Sequence, residues 1–166
     1  MSRRLPPTAI GLGLAGLIPF IGLGIAALST HDEVASQRYL FALVGYGAVV
    51  LAFLGGVHWG FVLHPAALPE GLDEDARRDA TRLGLGVLPS LLGFAALLTP
   101  ELSVPEIGLA VLIAGYLATV ATEAHLRRRG MVPSSYMLFR WALSVVVVIV
   151  LVVVLALRLI GAKISF

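Results

Sequence analysis

Apolar residues run along this chain in five long stretches separated by short polar connections, with no sustained alternation of apolar and polar positions. A helix needs about 20 mostly apolar residues to cross the hydrocarbon core of a bilayer. Segments 7–28, 39–63, 83–98, 106–125 and 137–160 have that character. The third is short and holds Pro89 with Gly84, Gly86 and Gly93, so its helix is expected to reach back through Arg82. Connection 29–38 carries His31, Asp32 and Glu33, and 99–105 is a proline-bounded turn that makes spans three and four a helical hairpin. The longest connection, 64–82, places Asp73 and Glu74 four residues before Arg77 and Arg78, a spacing that favours a helical lead-in to span three. The pattern predicts an all-α fold, a polytopic membrane helical bundle in which residues 1–166 form a single integral membrane domain.

Composition changes the picture only by naming the solvent. Hydrophobic residues make up 58% of the chain and charged ones 13%, with mean hydropathy +0.95, whereas a soluble domain carries about 25% charged residues. There is too little polar surface to cover this much apolar side chain in water, so the lipid bilayer is the expected environment. The absence of cysteine excludes disulfides, thiolate metal sites and a cysteine nucleophile. A net charge of only +2 makes nucleic acid an unexpected partner; the basic residues cluster at helix ends, where anionic headgroups explain them.

Charge also orients the bundle. Lys and Arg collect in cytoplasmic loops. Arg3, Arg4, Arg77, Arg78, Arg82, Arg127, Arg128, Arg129 and Arg140 fall on one side, nine residues against Arg38, Arg158 and Lys163 on the other. The expected topology is N-terminus inside, C-terminus outside, in an inner membrane. The first span is too long for the hydrophobic region of a cleaved signal peptide, about 7–15 residues, and holds Pro19, so it is expected to stay uncleaved.

All but three of the eighteen glycines lie in spans one to four. Small residues let membrane helices approach closely, so these four spans are expected to form the packed core, with the valine-rich run 145–154 of span five facing lipid over its outer half. On span two, Gly55 belongs to the same glycine-rich stretch, and Ala52, Gly56 and Gly60 recur every four residues as one contact face; His58 points about 160° away from it at about 100° per residue. Pro19 and Pro89 each remove a backbone donor inside a span and are expected to kink it.

The candidate chemistry is a set of polar side chains that reach one membrane side. Span two offers His58 and Trp59, span four Tyr116, Thr119 and Glu123 on one face, and span five Tyr136, Arg140 and Ser144 spaced by four. An ionisable group in hydrocarbon costs about 2.5 kcal/mol or more on insertion scales and so faces the bundle interior and pairs. One reading is a buried cluster in which Glu123 pairs with Arg140 and His58 exchanges protons or acts as a ligand. The other is that Glu123 and Arg140 snorkel to the interface, Glu123 pairs with Arg127 four residues on, and Trp59, Tyr136 and Trp141 are interfacial anchors. His58 and His125 also stand at one membrane side, as axial haem ligands would, but His125 adjoins the arginine run 127–129. No metal-protease spacing or phosphate-binding loop occurs, so no metal, cofactor or catalytic residue is called for.

GLGLAGLIPFIGLG (11–24), FLGGVHWG (53–60), LPSLLG around Pro89 and the Tyr136 to Arg140 start of span five together resemble one family over residues 5–157. It is the bacterial domain-of-unknown-function family related to mitochondrial transmembrane protein sixty-nine. The resemblance implies a five-span protein of the bacterial inner membrane, set in an energy-converting membrane and without an established activity. It transfers no catalytic residue; Pro19, Gly55, Gly56, His58, Trp59, Gly60, Pro89 and Arg140 are its motif positions. The expected role is a non-enzymatic accessory or assembly factor of a larger membrane complex, working with a membrane-protein partner or as a homo-oligomer. The alternatives are a small-solute or proton/ion transporter using the polar cluster, and a haem- or quinone-binding membrane protein.

Overall fold

The computed structural model describes residues 6–62, 72–101, 104–128 and 134–161; within its helices it leaves out the side chains of 58, 61–62, 72–82, 101, 126–128 and 134–137. The described residues form six helices and no strand: α1 (Pro7–Ala15), α2 (Ile18–Ser29), α3 (Glu33–Val62), α4 (Leu72–Glu101), α5 (Pro105–Arg128) and α6 (Ser134–Leu159). Among the described residues, five stretches of 18 to 25 residues are long and apolar enough to cross a membrane: Pro7–Ser29, Glu33–Val57, Leu83–Pro100, Pro105–His125 and Leu138–Leu159.

Local chemistry sets the helix ends. Pro7 and Pro105 occupy first-turn positions, where a missing N–H costs nothing. The second spanning helix starts at Glu33, six residues earlier than the apolar run indicates, because Asp32 caps it: its Oδ1 accepts the Val34 N–H at 3.0 Å and its carbonyl accepts the Ser36 N–H at 2.9 Å. Leu72–Glu101 carries the expected charged lead-in continuously into span three, through Pro89. Gly161, with φ +68°, ends α6 in the left-handed conformation that a side chain disfavours.

Pro19 acts differently from the kink expected of it. The first span is two helices joined at Gly16 and Leu17, and Pro19 sits in the first turn of α2. Having no N–H for the Ala15 carbonyl, Pro19 ends one helix and starts the next. Leu17 N–H turns to the Leu14 carbonyl at 3.0 Å, and Tyr46 of α3 donates its hydroxyl to the Gly16 carbonyl at 3.0 Å. A neighbouring helix thus supplies the polar partner that a break at membrane depth requires.

The helices pack in a ring, α2 beside α3, α3 beside α4, α4 beside α5, α5 beside α6 and α6 back against α2, with α3 also touching α5 across the middle. Leu40, Leu43, Val44 and Leu51 of α3, Leu109, Leu112 and Tyr116 of α5, and Phe20 of α2 fill the centre. The α3/α4 seam is made of small residues spaced by seven on both helices. Gly93 lies against Ala48, where an added Cβ would come within 2.9 Å of the Ala48 carbonyl oxygen, and Gly55 lies against the Gly86 backbone.

The structure corrects one packing expectation and narrows another. Gly56 and Gly60 are exposed, with nothing within 4 Å of an added Cβ; the contact face turns through Ala48 and Gly55 instead. Span five faces outward over most of its outer half, as expected, but not over all of it. Val147, Leu151 and Val154 continue the buried stripe begun by Arg140 and Ser144, while Val145, Ile149, Val152 and Val153 face outward. Valine-rich composition hid this stripe, because residues of equal hydropathy occupy both faces of the helix.

Candidate functional site

At the end of the bundle where α3 and α5 finish and α6 begins, Glu123 and Arg140 meet. Arg140 Nη2 lies 2.6 Å from Glu123 Oε1 and donates to the Leu54 carbonyl at 2.7 Å, while Trp141 Nε1 donates to Glu123 Oε2 at 3.2 Å. Only 1% of Glu123 and 4% of Arg140 is exposed. Neither side chain snorkels, and the clasp joins α3, α5 and α6. Low local dielectric strengthens such a pair, and its hydrogen bonds offset part of the cost of removing both charges from water.

The other expected cluster members divide. His58 stands on α3 and Tyr136 on α6, but both side chains lie outside the described residues. Trp59 packs over Gly86 and donates Nε1 to the Leu83 carbonyl at 3.1 Å, fastening α3 to the start of span three. Thr119 turns back to the Gly115 carbonyl of its own helix at 2.8 Å. Tyr116 is buried, donates to the Gly47 carbonyl at 3.0 Å, and meets Phe20 edge-on with ring centroids 6.3 Å apart. Pro89 is buried beside Thr119 in a cavity of about 140 Å³ between α4 and α5. His125, the second residue of the haem pairing, is exposed.

A larger cavity, about 240 Å³, opens beside the clasp between the α1/α2 break and the start of α6. Arg140 and Ser144 line one wall, Tyr46 and Tyr116 another, and Leu12 and Phe53 form its outer edge. The Nε and Nη1 of Arg140 have no hydrogen-bond partner among the described residues. No three His, Cys, Asp or Glu side chains gather as a metal site among the described residues.

A second polar clasp, which the sequence reading missed, closes the opposite end. Arg158 donates to Glu106 Oε1 through Nη2 at 3.2 Å and to Ser36 Oγ at 3.3 Å; Ser36 in turn donates to the Ala27 carbonyl at 2.8 Å. Glu33 lies 3.9 Å from Arg158 Nη1. The available signal was positional: an acid in the first turn of α5 and a base in the last turn of α6 come level once those helices run antiparallel.

A bundle of helices with five membrane-length apolar stretches and charges paired in its interior is a multi-pass membrane protein. The chain belongs to the family described as Protein of unknown function (DUF3429), whose profile matches residues 5–156. Transmembrane protein 69 of Xenopus tropicalis is 37% identical over 149 residues, covering 88% of this chain and 53% of that protein. Transmembrane protein 69 of Mus musculus is 38% identical over 96 residues, 58% of this chain and 36% of the mouse protein. The chain therefore spans about half the length of the frog relative and about a third of the mouse one. No solved structure matches it.

Proposed function

We propose that this protein is a non-enzymatic accessory or assembly component of a larger complex in a bacterial inner membrane, inserted with its N-terminus inside and its C-terminus outside. The observation that supports this best is the engagement of the buried charges with each other. Glu123 and Arg140 bind one another, a backbone carbonyl and Trp141, an arrangement that fixes helices in place. Its outer surface carries apolar side chains such as Leu88, Leu91 and Phe94 of α4, suited to lipid or to a partner helix. The nine-to-three asymmetry of basic residues supports the orientation.

Gentle extraction from native membranes followed by size-exclusion chromatography and mass spectrometry tests the reading. The expected result is a stoichiometric membrane-protein partner that stays through the column. A monodisperse chain with no partner, obtained at native expression level, contradicts it.

A further inference from the structure

The cavity beside Arg140 has the build of a lipid site. Its outer edge is apolar and open to the bilayer at Leu12 and Phe53, which are 75% and 70% exposed. Its inner wall holds a guanidinium that is 4% exposed and has spent only Nη2 on the clasp. Nε and Nη1 keep their hydrogens without an acceptor among the described residues, and buried donors in folded proteins are generally satisfied. Nη2 donates to the Leu54 carbonyl and is ion-paired with Glu123, so the rest of the guanidinium presents its remaining donors.

Depth selects the ligand. Arg140 stands three residues inside the apolar segment 137–160, about 4.5 Å along the axis at 1.5 Å per residue. The phosphate of a lipid in that leaflet lies at the neighbouring level. From Arg140 the cavity continues along Ser144 and Val147 towards Phe20, deeper in the span. A volume of about 240 Å³ equals about eight waters of liquid, room for a glycerophosphate region and the first methylenes of one chain, with the remainder lying over Leu12 and Phe53. The break at Gly16 and Leu17, where Tyr46 holds the Gly16 carbonyl, lines the cavity.

We propose that the cavity between the α1/α2 break and α6 binds one membrane phospholipid, with phosphate oxygens on the Nε and Nη1 of Arg140 and an acyl chain entering between Leu12 and Phe53. The clasp to Glu123 then holds the arginine as a preformed phosphate-binding wall.

Native mass spectrometry of the full chain released from detergent tests this. Dioleoyl phosphatidylglycerol, dioleoylglycerol or inorganic phosphate is supplied in separate arms. One phosphatidylglycerol per chain should remain bound, with neither dioleoylglycerol nor phosphate alone retained. Arg140→Lys keeps a charge for Glu123 but loses the guanidinium donors, and Ser144→Leu fills the cavity; each should lower occupancy about tenfold or more. Should Arg140→Lys fail to fold, Ser144→Leu decides alone. Equal retention of dioleoylglycerol, binding of phosphate by itself, or unchanged occupancy in Ser144→Leu overturns the proposal.

Discussion

Arg140 Nη2 lies 2.6 Å from Glu123 Oε1, with both side chains withdrawn almost completely from the surface, so the end of α5 and the start of α6 are held by one charged contact. Removing one partner strands the other. Glu123→Leu is expected to destabilise the folded bundle by about 3–5 kcal/mol, and Glu123→Leu with Arg140→Leu to recover most of that loss. Denaturant titration in detergent micelles measures both. Equal destabilisation by the single and double variants would mean the pair contributes little.

The α3/α4 seam makes a sharper, steric prediction. A methyl group at Gly55 collides with the Gly86 carbonyl, a backbone atom that cannot swing aside. Gly55→Ala should cost about 1–3 kcal/mol by forcing the helices apart. Gly56→Ala, next along the chain but open to its surroundings, should be neutral or slightly stabilising through helix propensity, within about 1 kcal/mol. Thermal denaturation of both in one detergent separates them, and similar melting points would contradict the seam.

These two neighbours also show what could be read before the structure was known. Five apolar stretches were legible, because spanning a bilayer demands a length and composition that few other roles share. The meeting of Glu123 with Arg140 was only one of two readings: the cost of a lone charge at that depth favours a buried pair, but snorkelling and a Glu123–Arg127 pair four residues apart fitted the same sequence. Which glycine packs was not legible. Consecutive glycines at 55 and 56 differ by about 100° around the helix, and only the position of α4 decides between them. The role of Pro19 was half legible: a lost donor was evident, but Tyr46, which stabilises a full break, is distant in sequence.

Tyr46 therefore yields its own test. Tyr46→Phe keeps the ring against Phe20, 5.0 Å between centroids, and removes the hydroxyl that binds the Gly16 carbonyl. A global loss of about 0.5–1.5 kcal/mol is expected, with faster amide exchange concentrated between Leu14 and Ile21. Uniformly raised exchange across the bundle would argue that the hydroxyl does not hold the break.

The two clasps should respond differently to salt. Arg158 is 16% exposed and its acidic partners Glu106 and Glu33 are 31% and 64% exposed, so water and ions reach this end and screen it. Arg158→Gln should cost at most about 1 kcal/mol, and less in high salt. The effect of Glu123→Leu should be nearly independent of salt. Stability measured at low and high ionic strength for both variants distinguishes a screened clasp from a sealed one.

The membrane path itself is open to a direct measurement, because the chain contains no cysteine and single cysteines can be placed at will. Arg4→Cys, Glu74→Cys and Arg128→Cys should react with a membrane-impermeant maleimide only when the cytoplasmic face is exposed, in inverted vesicles. His31→Cys, Ser103→Cys and Ser165→Cys should react only from the opposite face. Labelling of positions 128 and 165 from the same side would contradict a helix α6 that crosses the bilayer, and with it the bundle to which every contact described above belongs.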